Sequence, residues 1–257
     1  MELESLKDFL DAKVNYYQKP EFLESDPIQV PHSFNNKQDV EISAFLTATI
    51  AWGNRKSIIN NAFVMMEHMD NSPYEFVLNA SEGDLSPLDQ FVHRTFNGTD
   101  LRYFVFALRR AYTLHGGLES LFTPLNQELF LNQTIESARE KFFELPHLSR
   151  TEKHFSNPGN GSAAKRLHMF LRWMVRPAQT GIDFGIWQKI KPKQLSCPLD
   201  VHSGAVARKL GLLKRKQNDA KALMELDTNL RLMDPLDPVK YDFALFGLGV
   251  FEKFASN

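Results

Sequence analysis

Cysteine is almost absent from this chain: Cys197 is the only one in 257 residues. One thiol allows no internal disulfide, no cysteine-built zinc site and no four-cysteine iron–sulfur cluster. Long apolar runs are missing too, since none approaches the roughly eighteen residues that a membrane span requires. Met1-Glu2-Leu3-Glu4 lacks the basic start of a secretory signal. A protein working in the cytoplasm, with no membrane association, no metal and no cofactor, is therefore expected. The third absence is of strands: no apolar-polar alternation recurs with a hairpin signal, and no repeat of fixed period appears. What remains is an all-α chain, expected to fold as a single domain over residues 1–257.

Acidic residues are scarce in one place only. The chain as a whole carries a net charge of −1, with 30 Lys/Arg against 31 Asp/Glu. Between Lys153 and Lys216, however, thirteen Lys/Arg face only Asp183 and Asp200, which leaves +11 there and −12 over the rest. Such asymmetry is the footprint of a face that binds nucleic acid or phosphate on an otherwise acidic protein. A basic surface that is merely solvated is the plainer alternative.

Helical periodicity organises the chain. Leu3, Leu6, Phe9, Leu10 and Val14 mark a helix over Glu2 to Tyr17, and the segment with Pro20, Pro27 and Pro31 after it reads as loop. Helices are predicted from Val40 to Ala51 and from Ser57 to Met69, joined at Trp52-Gly53-Asn54, a corner whose tryptophan either packs in the core or faces a partner. A short helix follows from Pro73 to Leu78, then one from Leu101 to Leu114 behind the Asn97-Gly98-Thr99-Asp100 turn, then amphipathic segments from Leu118 to Phe122 and from Thr134 to Phe143. A helix from Asn218 to Met233 stops at Asp234-Pro235 and Asp237-Pro238. The last, Val239 to Phe254, is apolar on nearly all sides, and Gly247 and Gly249 weaken it unless something packs closely there.

Two stretches carry chemistry. Asn157-Pro158-Gly159-Asn160-Gly161-Ser162 is a turn of residues that tolerate unusual backbone angles, and such a turn feeding a helix offers N–H groups to phosphate. The helix it feeds, predicted from Ala163 to Arg176, has Leu167, Phe170, Leu171 and Met174 as its buried stripe and Lys165, Arg172 and Arg176 on another. A short turn and helix from Gly181 to Trp187 and the basic loop Lys189 to Lys193 lead to Pro198-Leu199-Asp200-Val201-His202. There Asp200 can cap a helix that Gly211 ends. A carboxylate at such a junction is either a cap alone or a cap that also faces a substrate.

The run Pro198-Leu199-Asp200-Val201-His202, with Arg208 and Leu210-Gly211-Leu212 after it, resembles the helix-hairpin-helix superfamily of DNA glycosylases. In that superfamily a hairpin and a Gly/Pro-rich loop precede an aspartate at a helix start. Within it the chain is similar to a bacterial family without an assigned function and, more distantly, to the archaeal 8-oxoguanine DNA glycosylases. The clear motif runs from Pro198 to Leu212, and helix order extends the likeness loosely from Ile42 to Phe254. The resemblance implies two helical lobes with a cleft between them: one near residues 40–150, the other combining 1–39 with 151–257 and carrying a hairpin-like element at 157–176 and a catalytic loop at 197–210.

The same resemblance assigns roles. Asp200 matches the aspartate that stabilises a cationic sugar as a base departs, and Lys165 is the candidate amine of the members that also cleave the strand. The usual hairpin reads Leu-Pro-Gly-Val-Gly-x-Lys, whereas Pro158-Gly159-Asn160-Gly161-Ser162-Ala163-Ala164-Lys165 puts the lysine two positions late. A glycosylase working with Asp200 and water alone is the alternative. Gly159, Gly161, Ser162, Arg166, Arg172, Arg176, His202, Arg208 and Lys209 are placed against DNA. Trp52, Asn54, Tyr241, Asp242 and Phe246, with Phe243, are placed at the flipped base or the gap it leaves.

The residue types suit this chemistry by themselves. An amine beside Arg166 and Arg172, partly desolvated, is neutral more of the time and can attack a sugar carbon. An ionised carboxylate at a helix N-terminus suits an oxocarbenium-like transition state. The expected partner is double-stranded DNA with a damaged base, an oxidised purine on the archaeal likeness, extruded into a pocket of a monomer that sits at the nucleoid when bound. The rival readings are a non-catalytic DNA-binding module on the same fold and a helical domain whose basic face binds an acidic protein.

Overall fold

The computed structural model describes residues 2–126 and 130–255. Among them the helices are α1 (Leu3–Tyr17), α2 (Lys37–Thr49), α3 (Arg55–Glu67), α4 (Pro73–Asn79), α5 (Glu82–Leu85), α6 (Gly98–Leu114), α7 (Gly117–Leu121), α8 (Asn132–Phe142), α9 (Lys165–Val175), α10 (Val201–Lys209), α11 (Ala220–Met233) and α12 (Tyr241–Val250). The fold is all-α apart from one antiparallel pair, β1 (Val92–His93) with β2 (Phe96–Asn97), in which Val92 faces Asn97 and His93 faces Phe96. Two residues per strand are too few to leave an alternating pattern in the sequence.

The chain divides into two compact units. Met1–Phe22, Pro124–Gln133 and Asn157–Asn257 form the first; Leu23–Thr123 and Thr134–Ser156 form the second. The chain enters the second unit at Leu23, ahead of the boundary near residue 40 expected from the sequence. The reason is apolar: the Pro27–Gln29 turn buries Ile28, Val30 follows it inside, and this stretch packs on α2 and α3.

In the second unit α2 is buried from Val40 to Thr49 all round, so it has no polar stripe. Phe45 of α2 meets Phe104, Phe142 and Phe155 at ring separations of 6.0, 5.6 and 5.9 Å. The start of α6 is locked locally: Asn97 Oδ1 accepts from the Asp100 N–H, and Asp100 Oδ2 accepts from the Asn97 N–H.

The first unit is leucine-rich. Leu6, Leu10 and Val14 of α1, Val206 and Ala207 of α10, Leu223, Leu226 and Leu230 of α11, and Ala244, Leu245 and Leu248 of α12 share one core. Each such large aliphatic contributes about 1.5–3 kcal/mol by leaving water. The two glycines of α12 have the close packing that the sequence demanded of them. A Cβ on Gly247 would stand 2.3 Å from the Tyr17 ring of α1, and one on Gly249 would stand 3.0 Å from His202 of α10.

Several boundaries differ from expectation, among them that of α2, which starts at Lys37 rather than Val40, and that of α12, which ends at Val250 rather than Phe254. Ala164 sits at φ +43°, a left-handed residue that breaks the helix, so α9 starts at Lys165 rather than Ala163. The 181–187 stretch is not helical, because its amides serve α9 instead: the Phe184 and Trp187 N–H groups donate to the Trp173 and Met174 carbonyls at 2.8 and 3.0 Å.

Candidate functional site

Asp200 is the residue on which the site is built. It is the N-cap of α10, and its Oδ1 accepts from the His202 N–H at 2.8 Å and the Ser203 N–H at 2.9 Å, while its own N–H donates to Ser203 Oγ at 2.9 Å. Every bond that the carboxylate accepts falls on one oxygen. Among the described residues Oδ2 has no hydrogen-bond partner, and the side chain is half-exposed. A carboxylate held rigidly by one oxygen and open at the other can place negative charge against a bound group without reorganising.

Lys165 opens α9 and is half-exposed; among the described residues its ammonium makes no hydrogen bond and no ion pair. Asp242 lies in the first turn of α12. Its carboxyl is buried, accepts from an Arg172 guanidinium N–H, lies 3.8 Å from Cys197 Sγ, and feels the charges of Asp200 and Lys165. Burial pushes the Asp242 carboxyl above its ordinary range and Asp200 adds to this, while Arg172 and Lys165 pull the other way. Burial likewise pushes the Cys197 thiol well up. A buried carboxyl of raised proton affinity that feels both an open carboxylate and an open ammonium marks a candidate site.

A second acid lies behind the loop. Asp227 of α11 is buried; its Oδ1 accepts from the Cys197 N–H at 2.9 Å, and burial pushes it up to about 7. Asp227 and Asp242 thus hold the backbone and the side chain of Cys197, three residues before Asp200.

Several residues expected to meet DNA are engaged inside the protein. Arg172 and Arg176 are each only 4% exposed. Arg172 pairs with Asp183 at 3.3 Å and with Asp242; Arg176 pairs with Asp183 at 2.5 Å and takes Asp237 at 2.8 Å. Their guanidinium groups cover the Phe243 ring at 4.5 and 5.4 Å. Arg172 and Arg176 of the cationic stripe therefore form an internal ion-pair network and not a phosphate-facing edge, because buried cations require counter-charges within reach, and Lys165 alone of the three stays open. Arg208 is half-buried, with Nε donating to the Arg215 carbonyl and Nη2 to Asn218 Oδ1. Arg166 is half-buried, and burial brings it down to about 10.

The turn before Lys165 keeps its amides for itself. The Gly159 N–H donates to Asn157 Oδ1, the Asn160 N–H to the Asn157 carbonyl and the Gly161 N–H to the Pro158 carbonyl. Those internal bonds leave no cradle of open amides for phosphate, contrary to expectation, although Gly159 and Gly161 are exposed and Ser162 is half-buried. His202 and Lys209 are exposed on α10. The exposed cations of the first unit in this region are Lys189, Lys191, Lys193, Lys209, Lys214 and Lys216.

Of the residues expected at a base pocket, Tyr241 and Phe243 are fully buried core residues and line no open wall. Phe246 is half-buried with its ring 6.1 Å from Phe22. Trp52 and Asn54 belong to the second unit. Trp52 is half-buried, stacked on His154 at 5.9 Å and edge-on to His93 at 5.2 Å, and Asn54 caps α3 through the Ser57 N–H. Sequence reasoning missed Asp183, Asp237, Asp227 and Asn218. The first two had a signal: cations on a helix as apolar as α9 need partners, and Asp237 was taken only as a helix stop.

These observations define an all-α protein in which the charges of Asp200 and Lys165 both act on the buried acid Asp242. The chain belongs to the family described as "Protein of unknown function (DUF2400)", whose model matches residues 26–251. Searches of the curated proteins and of the solved structures return no match. No helix among the described residues is long and apolar enough to cross a membrane.

Proposed function

We propose that this protein is a DNA base-excision glycosylase of helix-hairpin-helix type, two helical lobes flanking a cleft, acting as a monomer in the cytoplasm on damaged duplex DNA. The observation that carries the reading is the half-open cap: Asp200 spends one oxygen on the start of α10 and leaves the other free, with the Lys165 ammonium and Asp200 both acting on Asp242. The anionic oxygen stabilises the sugar cation as the base leaves. In the strand-cleaving version the neutral Lys165 amine bonds to the anomeric carbon, the glycosidic bond breaks, and its electron pair leaves with the base, which is protonated. Loss of the nitrogen's remaining protons and ring opening leave an imine that borohydride reduces to a stable crosslink.

The test is a panel of duplexes, each with one damaged base, scored for strand nicking and for borohydride trapping. Asp200→Asn keeps the cap and loses excision by orders of magnitude; Lys165→Gln keeps the fold and loses trapping. Excision by Asp200→Asn within about twofold of the parent would leave Asp200 a cap only. Trapping that persists in Lys165→Gln removes Lys165 as the nucleophile. Duplex affinity that ignores salt removes the DNA partner altogether.

A further inference from the structure

One short segment, residues 215–220, touches both the loop of Asp200 and the turn that delivers Lys165. On one side Asn218 Nδ2 donates to the Asp200 carbonyl at 2.7 Å. Asn218 Oδ1 accepts from Arg208 Nη2 at 2.6 Å, and Arg208 Nε donates back to the Arg215 carbonyl at 2.7 Å. On the other side Asp219 pairs with Ser162 in an isolated antiparallel bridge, and the Ala220 N–H donates to the Gly161 carbonyl at 3.0 Å. Asp219 itself caps α11 through the Ala222 N–H and is held by Arg215 at 2.7 Å.

Asn218 has no local job. It caps no helix, since Asp219 does that, and its side-chain bonds go to the loop and helix of Asp200. The chain also concedes a helix-interior residue to it. Gly204 of α10 is a poor helix former, and a Cβ there would stand 2.7 Å from Asn218 Oδ1 and 2.9 Å from an Arg208 nitrogen. Glycine at 204 keeps the space that Asn218 needs.

We infer that Asn218 is a positioning residue: with Arg208 behind it and the Asp219–Ala220 pairing beside it, it fixes the Asp200 carboxylate relative to the turn that carries Lys165. The consequence for rate rests on the base-excision reading; the mechanical link does not. An error of about 1 Å in placing a catalytic group costs on the order of a hundredfold in rate. Binding has no such dependence.

The experiment has two arms on the full chain. In hydrogen exchange, Asn218→Ala raises exchange in both the 200–205 and the 159–164 segments and leaves α6 unchanged; a rise on one side only, or on neither, overturns the link. In single-turnover excision, Asn218→Ala and Gly204→Ala each slow the reaction about tenfold to a hundredfold, with duplex affinity within about twofold of the parent. The double variant is no slower than the slower single, because one change blocks what the other removes. Additive losses, or unchanged rates, overturn the positioning role. Gly204→Ala by itself favours helix, so a residue of merely structural value would give a fold as stable or more stable and an unaltered rate. That variant carries both arms if Asn218→Ala does not fold. Coupled exchange in a parent that excises no base retains the link and removes the base-excision reading; excision without coupled exchange does the reverse.

Discussion

Each unit buries carboxylates, and Asp100 of the second is treated in the opposite way to Asp227 and Asp242 of the first. In the second unit Asp100 is completely inside, paired with Arg150 at 2.8 Å; burial works against its charge, yet His154 at 3.3 Å, Thr151 Oγ1 at 2.8 Å and the Asn97 N–H at 3.1 Å bring it down to about 2. In the first unit burial dominates at Asp242, which has Arg172 but also Asp200 nearby, and dominates again at Asp227. Asp100 is a closed structural hub. Asp242 sits among groups with unspent capacity, and strain of that kind is characteristic of sites rather than of scaffolds.

The comparison breaks most readily at Arg172. Replacing it by Met leaves buried Asp242 without its cation and Asp183 with Arg176 alone, and should cost about 3–5 kcal/mol in chemical denaturation. A loss below about 1 kcal/mol would mean that the acids of the first unit stand alone as comfortably as surface ones.

Next in size is the pH dependence due to Asp227. Its folded value of about 7 lies above the ordinary 3.8, so the native state keeps a proton that the unfolded chain has released. Stability is therefore greatest below about pH 4 for this group, falls as pH rises toward 7, and is flat above, by on the order of 4 kcal/mol in all. Asp227→Asn retains the acceptor for the Cys197 N–H and should flatten that slope; an unchanged slope assigns it elsewhere.

Asp100 should show the reverse sign. Its contribution is present above 3.8 and is lost as pH falls toward 2, about 2–3 kcal/mol. In Asp100→Asn the acid limb of the stability curve should shrink by that amount, and thermal unfolding from pH 6 to pH 2 measures it. The smallest effect belongs to Asp200. Asn caps nearly as well as Asp, so Asp200→Asn should shift stability by only a few tenths of a kcal/mol. A loss above about 1 kcal/mol would make Asp200 resemble Asp100, a structural acid after all.

How far the chain was legible follows the range of each interaction. The caps at Asn97-Asp100 and Asp200 were readable because donor and acceptor lie within a single helical turn, where spacing alone sets geometry. The stripe of Lys165, Arg172 and Arg176 was placed correctly by angle on α9, but angle does not say what an edge meets. Arg172 is 70 residues from Asp242, and Arg176 is 61 from Asp237. No spacing rule spans such distances.

The glycines divide in the same way. Gly247 and Gly249 in an apolar helix already demanded a close neighbour, whereas Gly204 gave no hint that Asn218 was the reason for it. By itself the sequence determined the long helices to within a few residues, the all-α class and the cap at Asp200, all settled by hydrogen bonds and periodicities a few residues long. Only the tertiary structure decided that two arginines go inside, that the Gly turn closes on itself, and that Asn218 ties two loops together. Those outcomes depend on which faces pack against each other and on the cost of burying charge without a partner, and both are properties of contacts between distant residues.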